Sequence, residues 1–470
     1  MAMNLLVVAL FVSIFGAEYF ARKLAVIPPH FTLVPEMLSA IAVVAIVCKV
    51  LSGRRWQLDK RYVLFLALYS FVILFGFLAQ AVPTGAVVAG LRSYFKFLPF
   101  FLLPAIHPFT ARDLKLQLVC LLALLLVQSP LAVYQRFVQF AASMHTGDPI
   151  AGMTTHSGVL SLLMISGIVP VVAFYLRKKI SFPMMLVLVG ALFLPTTLNE
   201  TKSTLLLLPV AVLLPAWFMP RGARSLRRLV PLVAVGIVAG MVFVTVYDRL
   251  IQHGAPGYSL ESFFEEDIDR YLYTGAAEGR RTWIGRFDAI MFALEGIGRD
   301  PWATAFGLGA GNVSESFLPG FEGTYASYYK RYGADATQVA GFLWEIGLLG
   351  ILTYLYLYFL AWRDASFLAR SDDKLAVLGQ VWATVTVIMA AGLVYTSIFA
   401  VNEVGYLFWY FCGVTASRAY AVRRARRAAA AAAAAAGRDG STPWPAGAAA
   451  GYRRTLGVRP GEHGALRHLP

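Results

Sequence analysis

Three arginines, Arg280, Arg281 and Arg286, fall within one short run, Gly279-Arg280-Arg281-Thr282-Trp283-Ile284-Gly285-Arg286-Phe287. A guanidinium is a planar fork that matches two phosphate oxygens, so such a cluster is a candidate clamp for a phosphate or diphosphate. The competing reading is ion pairing with the neighbouring acids Glu278 and Asp288. If the run is helical, Arg281 and Arg286 stand roughly one and a half turns apart. Two more cations lie at the edge of long apolar runs: Arg92, and Lys202 in Asn199-Glu200-Thr201-Lys202-Ser203. A charge at membrane depth is unfavourable unless it faces a cavity or a partner, although a lysine stem also lets its ammonium reach the interface. Downstream, Gly307, Gly309 and Gly311 alternate after Pro301. Such glycines permit a tight turn, the preferred reading, or close approach of backbone to a ligand. No Lys-Ser/Thr follows them, so this is not a nucleotide-binding P-loop. No zinc-type His/Cys cluster or Asp-rich motif occurs, and no metal or other cofactor is expected.

The elements that must position these groups are membrane helices. The chain is 58% hydrophobic and only 14% charged over 470 residues, with a mean hydropathy of +0.65. The apolar residues come in blocks near the ~20 residues that cross ~30 Å of hydrocarbon. Twelve spans are predicted at about 3–20, 34–51, 62–80, 86–106, 114–135, 157–176, 182–198, 203–219, 229–247, 338–362, 376–397 and 402–418. The first has no clear small-residue cleavage site and is expected to be retained. Two are irregular: 86–106 contains Arg92 and Lys96, and 182–198 is short and ends near Pro195, so a partial or broken helix is expected at either. The fold class is therefore an all-α polytopic membrane protein.

Alternate short loops carry the basic residues: Arg54, Arg55, Lys60 and Arg61; Arg112 and Lys115; Arg177, Lys178 and Lys179; Arg221, Arg224, Arg227 and Arg228; Arg363, Arg370 and Lys374. This alternation predicts a multi-pass protein with both termini in the cytoplasm. It also explains the net charge of +15 without a nucleic-acid partner. Spans one to nine occupy 1–247. A long connection, 248–337, is predicted outside, and spans ten to twelve occupy 338–418. The segment 419–470 is a cytoplasmic Ala/Arg/Gly/Pro-rich tail, in which Ala428–Ala436 reads as a helical extension, with disorder expected beyond about 437. The long connection holds thirteen of the 26 acidic residues against eight Lys or Arg, with helical character from Arg281 to Glu295, and is expected to form an ordered cap. His145, His156 and His253 are the histidines on or near this side, and His253 lies closest to the membrane end of the connection. Cys48, Cys120 and Cys412 all fall within predicted spans, which suits apolar packing.

These pieces, in this order, resemble the O-antigen ligases and Wzy-type polysaccharide polymerases of bacterial envelopes. A Ser-Arg-Gly-like motif opens a span ahead of the large loop in that family; Thr201-Lys202-Ser203 stands there, with Lys for Arg. The family's Arg followed by Trp is matched by Arg281-Thr282-Trp283, and its Pro and Gly-x-Gly-x-Gly by Pro301, Gly307, Gly309 and Gly311. The next span opens with Leu343-Trp344-Glu345-Ile346-Gly347-Leu348-Leu349-Gly350, a Leu-x-Glu-x-Gly-x-x-Gly pattern. The match covers roughly residues 190–360. Ligases place a His at the mouth of that span; here the residues are Asp335-Ala336-Thr337-Gln338, which favours a polymerase-like member.

The resemblance implies a GT-C-like fold and metal-independent glycosyl transfer at the periplasmic face of the bacterial inner membrane. The donor it implies is an oligosaccharide on undecaprenyl pyrophosphate, presented within the membrane lipid, with chain-length regulators or other polysaccharide assembly proteins as partners. Without a metal, cations must take up the charge of the departing diphosphate. The residues assigned to that task are Arg280, Arg281, Arg286, Lys202 and Arg92. Asp335 and then His253 are the candidates for the base that activates the acceptor hydroxyl. A ligase acting on lipid A-core or a protein shares this chemistry. A flippase for lipid-linked glycans is the rival of another class, though the long external connection after span nine is unlike a two-half carrier.

Overall fold

The structure is a computed structural model describing residues 1–141, 149–220, 226–251, 260–262, 264–265, 268–273, 284–316, 320–328 and 333–438. Among the described residues it is helical, without strands. The helices are α1 (Ala2–Glu18), α2 (Val34–Leu51), α3 (Lys60–Ala79), α4 (Thr84–Phe95), α5 (Leu98–Ile106), α6 (Ala111–Tyr134), α7 (Ser157–Leu176), α8 (Phe182–Leu198), α9 (Ser203–Trp217) and α10 (Leu226–Thr245). The long connection contributes α11 (Leu260–Ser262), α12 (Ile268–Leu272), α13 (Arg286–Ile297) and α14 (Pro301–Phe306). The chain then returns as α15 (Gln338–Ala369), α16 (Ala376–Tyr395) and α17 (Asn402–Arg438).

Each expected span is helical. Eight helices among the described residues are long and apolar enough to cross a membrane, or nine when α4 and α5 are joined. Helices α8 and α9 are shorter apolar helices, and α17 lies outside that set. The irregular segment 86–106 is indeed broken: α4 and α5 meet at 42°. Pro99 near the start of α5 lacks a backbone N–H and helps end the continuous ladder there. The alanine run continues α17 as far as Arg438, while the rest of the tail lies outside the described residues.

Burial sorts the helices. Of the apolar window of α7, 83% is buried, against 11% for α10, so α7 is central and α10 peripheral. Exposed Leu64, Leu68, Val187, Leu206, Val230 and Met241 give the bundle the apolar outer surface that lipid requires. Inside, Trp409 of α17 packs with Phe65, Tyr69, Phe101 and Tyr354, and the Phe342 and Tyr354 rings stack at 4.2 Å. Such aromatic pairs hold α3, α5, α15 and α17 together with more than buried area alone.

Contacts at the helix ends divide the connections between two faces. On the basic face, Arg177 donates to Gln380 Oε1 at 2.6 Å and to the Ala369 carbonyl at 2.9 Å. Asp364, fully buried, accepts from Arg363 and Arg423, while Arg418 pairs with Asp373 at 2.6 Å. The opposite face, called outer here, carries the groups described next.

Candidate functional site

The outer end of α7 is a junction. On one side the Asn199 side chain donates to the Ser157 carbonyl at 2.9 Å and exchanges hydrogen bonds with Ser161. It also accepts from the Thr201 N–H at 3.2 Å, which fixes the segment leading to Lys202. Glu200 adopts a left-handed backbone (φ 58°), uncommon for a residue with a side chain, and is pinned by Arg136 at 3.0 Å. Lys202 sits at the N-cap of α9 with its ammonium 5.5 Å from the Tyr247 ring centre.

On the other side of the α7 end, the Tyr395 ring packs against Gly158. The Tyr395 carbonyl accepts from Arg286 Nε at 2.7 Å, and the Arg286 guanidinium lies over Tyr271, 3.7 Å from its ring centre. The same turn receives the start of α15: Gln338 N–H donates to the Thr396 carbonyl at 3.2 Å, and Ser397 Oγ donates to the Asp335 carbonyl at 2.8 Å. Arg286 and Asp335 are thereby brought to one turn, beside the helix end to which the Lys202 segment is tied. His156 is the N-cap residue of α7. Burial holds its imidazole below the ordinary value, and Lys23 pushes the same way against Glu18 and Asp335.

A second group of charges adjoins this end, of which only Arg92 and Lys96 stand out from sequence. Thr155 Oγ1 donates to Glu18 at 3.0 Å, and Lys23 Nζ donates to the Gly152 carbonyl at 3.3 Å. Glu403, in the first turn of α17, is fully buried, and neither carboxylate oxygen has a hydrogen-bond partner among the described residues. Beside it, Lys96 donates to Asn402 at 2.8 Å and stands 3.9 Å from Glu36. Arg92 grips Glu36 with two bonds of 2.7 and 2.6 Å, so it has an acidic partner on α2. An ionisable group in an apolar run is the signal that marks Arg92, and it marks Glu18, Glu36 and Glu403 equally.

The two glycine motifs fold onto each other. The Glu345 carboxylate accepts from the Gly311 N–H at 3.2 Å, the Ser314 N–H at 2.9 Å and the Tyr94 hydroxyl at 2.7 Å. Gly347 has φ 61° inside α15, and a Cβ there would lie 2.4 Å from the Gly307 nitrogen. These glycines let backbone from two segments of the chain come together, which is neither the plain turn favoured from sequence nor an approach to a ligand. The helical frame expected to begin at Arg281 begins instead at Arg286. Gly285 is its extended N-cap, pressed so close to α12 that a Cβ would stand 2.4 Å from the Leu272 carbonyl oxygen. The spacing of Arg281 and Arg286, conditional on a helix through both, falls partly outside the described residues. Arg280, Arg281 and His253 lie outside the described residues. Among the described residues no group of three His, Cys, Asp or Glu side chains converges as a metal cage would.

No protein-family model matches this chain, and no curated protein matches it significantly.

Proposed function

We propose that this chain is a membrane-embedded glycosyltransferase that polymerises lipid-linked oligosaccharide units, with about twelve spans in a GT-C-like arrangement. In the reaction, an acceptor sugar hydroxyl attacks the anomeric carbon of the donor. The bond from that carbon to the diphosphate oxygen breaks, the undecaprenyl diphosphate leaves with the electron pair, and the hydroxyl proton passes to a base. The product is O-antigen or exopolysaccharide, made at the periplasmic face of a bacterial inner membrane with both termini in the cytoplasm.

The observation that carries this reading is the junction at the outer end of α7, where the Lys202 segment and the Arg286–Asp335 turn are tied to one helix end. A cation at that junction supports the reading because preorganised positive groups stabilise a diphosphate's developing negative charge best when water is excluded. In this reading Lys202, Arg280 and Arg281 meet the diphosphate. Arg286, which already binds Tyr395 and Tyr271, orders the turn that follows α16. His156, whose imidazole burial holds below its ordinary value at the same junction, joins Asp335 and His253 as a candidate base.

The test is polysaccharide length in cells carrying Arg281→Ala at normal protein level. Loss of long polymer with retention of single-unit product is expected; unchanged long polymer overturns the proposal. One observation favours a carrier instead: an unpartnered buried carboxylate, Glu403, next to a broken helix, as proton-coupled carriers use. Transport of lipid-linked glycan by reconstituted protein, without polymer formation, would establish that reading.

A further inference from the structure

On the basic face, the turn joining α7 to α8 and the first turn of α10 border an open pocket of about 410 Å³. Tyr175, Lys178, Lys179, Ser181, Phe182 and Arg228 line it. Three cations thus share one hollow, and no ion pair joins any of them to an acid among the described residues. Mutual repulsion of three positive groups is unfavourable, and an anion placed between them removes it.

The backbone adds an independent sign. Helix α7 ends with Lys178 N–H donating to the Tyr175 carbonyl and Lys179 N–H to the Phe174 carbonyl, the double bond pattern of a left-handed helix stop. Lys178 occupies the left-handed position at φ 60°, where glycine is strongly preferred. A long cationic side chain at this strained position adds its charge to a pocket already rich in positive charge. Arg228 donates one N–H to the Leu176 carbonyl at 2.7 Å, which aims the guanidinium while leaving most of its donors for a ligand.

We infer that this cavity binds the phosphate of an anionic membrane lipid. Phosphate is the ligand that a guanidinium and two ammonium groups recognise together. The lipid source follows from the surroundings. Phe182 on the rim is exposed, and Met184, Leu186 and Val187 continue an exposed apolar strip along α8, where acyl chains would lie. Basic pockets between spans on this face are suited to acidic head groups. This site is separate from the outer junction and does not rest on the proposed activity.

The test uses the purified full-length protein released from micelles doped with phosphatidylglycerol or phosphatidylcholine, with retained lipid read by native mass spectrometry. The wild type is expected to retain one phosphatidylglycerol in preference to phosphatidylcholine. Lys178→Gly with Lys179→Ala should weaken that retention by roughly tenfold or more, at about a factor of a few per lysine. Arg54→Ala with Arg55→Ala, on the same face but away from the cavity, should change it less than about twofold. Lys178→Gly relieves a strained backbone, so its melting temperature should be equal or higher, which separates lost binding from lost folding. Equal losses in the two double variants, or no preference for phosphatidylglycerol, would overturn the inference. Displacement by inorganic phosphate at matched concentration would overturn the lipid assignment.

Discussion

At the scale of single residues, partnership decides what each charge can do. Arg92 and Glu36 form a two-bond pair within the apolar part of the chain. Arg92→Met should leave Glu36 with Lys96 at 3.9 Å and lower stability by roughly 2 kcal/mol, and the double variant Arg92→Met/Glu36→Leu should recover most of that in thermal unfolding. Should the double variant be stable yet inactive, Arg92 has a role beyond the pair. His156 carries a pH prediction. Its folded value lies below the ordinary 6.5, so the unfolded chain binds the proton more tightly. The stability contribution is therefore complete above about pH 6.5 and is lost as pH falls through the folded value. Melting temperature should decline below pH 6.5 in the wild type, and the decline should be shallower in His156→Gln. Arg92 was legible as a functional candidate from its apolar surroundings, but its partner was not, because Glu36 lies on another helix and no local spacing links the two. Glu403 carries the same signal in sequence, but its place in a first helical turn offers a competing account through the helix dipole. Its burial becomes visible only once α17 is packed.

At the scale of elements, the glycine motif reads in sequence as a plain turn or an approach to a ligand, and its packing against another segment of the chain was not legible. The contact joins Gly307 on the long connection to Gly347 inside α15, and Glu345 locks it from the other side. Gly347→Ala should cost about 2 kcal/mol or more, because both a left-handed backbone and a filled contact oppose the methyl group. Glu345→Gln should be milder: its amide oxygen still accepts from backbone N–H groups, but the charge that strengthens those bonds is gone. Unfolding curves of the two variants in one detergent compare them directly, and a smaller loss in Gly347→Ala than in Glu345→Gln would contradict this account. The break between α4 and α5 was legible from Arg92, Lys96 and the length of the apolar run. The start of α13 was not. Arg281 to Glu295 has helical composition, yet the close passage of Gly285 against α12 sets the boundary, and only tertiary packing reveals that.

At the scale of the whole molecule, the arrangement of helices was the most legible part, because the hydrocarbon core imposes length and apolarity on each segment. The two faces seen in the structure agree with the alternation of basic loops. In a chain lacking its native cysteines, Lys179→Cys should react with an impermeant thiol reagent only from the cytoplasmic side, and Glu322→Cys only from the outside. Labelling of both from one side would break the topology. The central claim, glycan polymerisation, is tested most directly by incubating the purified protein, reconstituted in lipid, with lipid-linked oligosaccharide units. A ladder of polymers at multiples of the unit, with release of undecaprenyl diphosphate, is the predicted result. Units that remain single in the presence of folded protein, while crossing the bilayer, would contradict it.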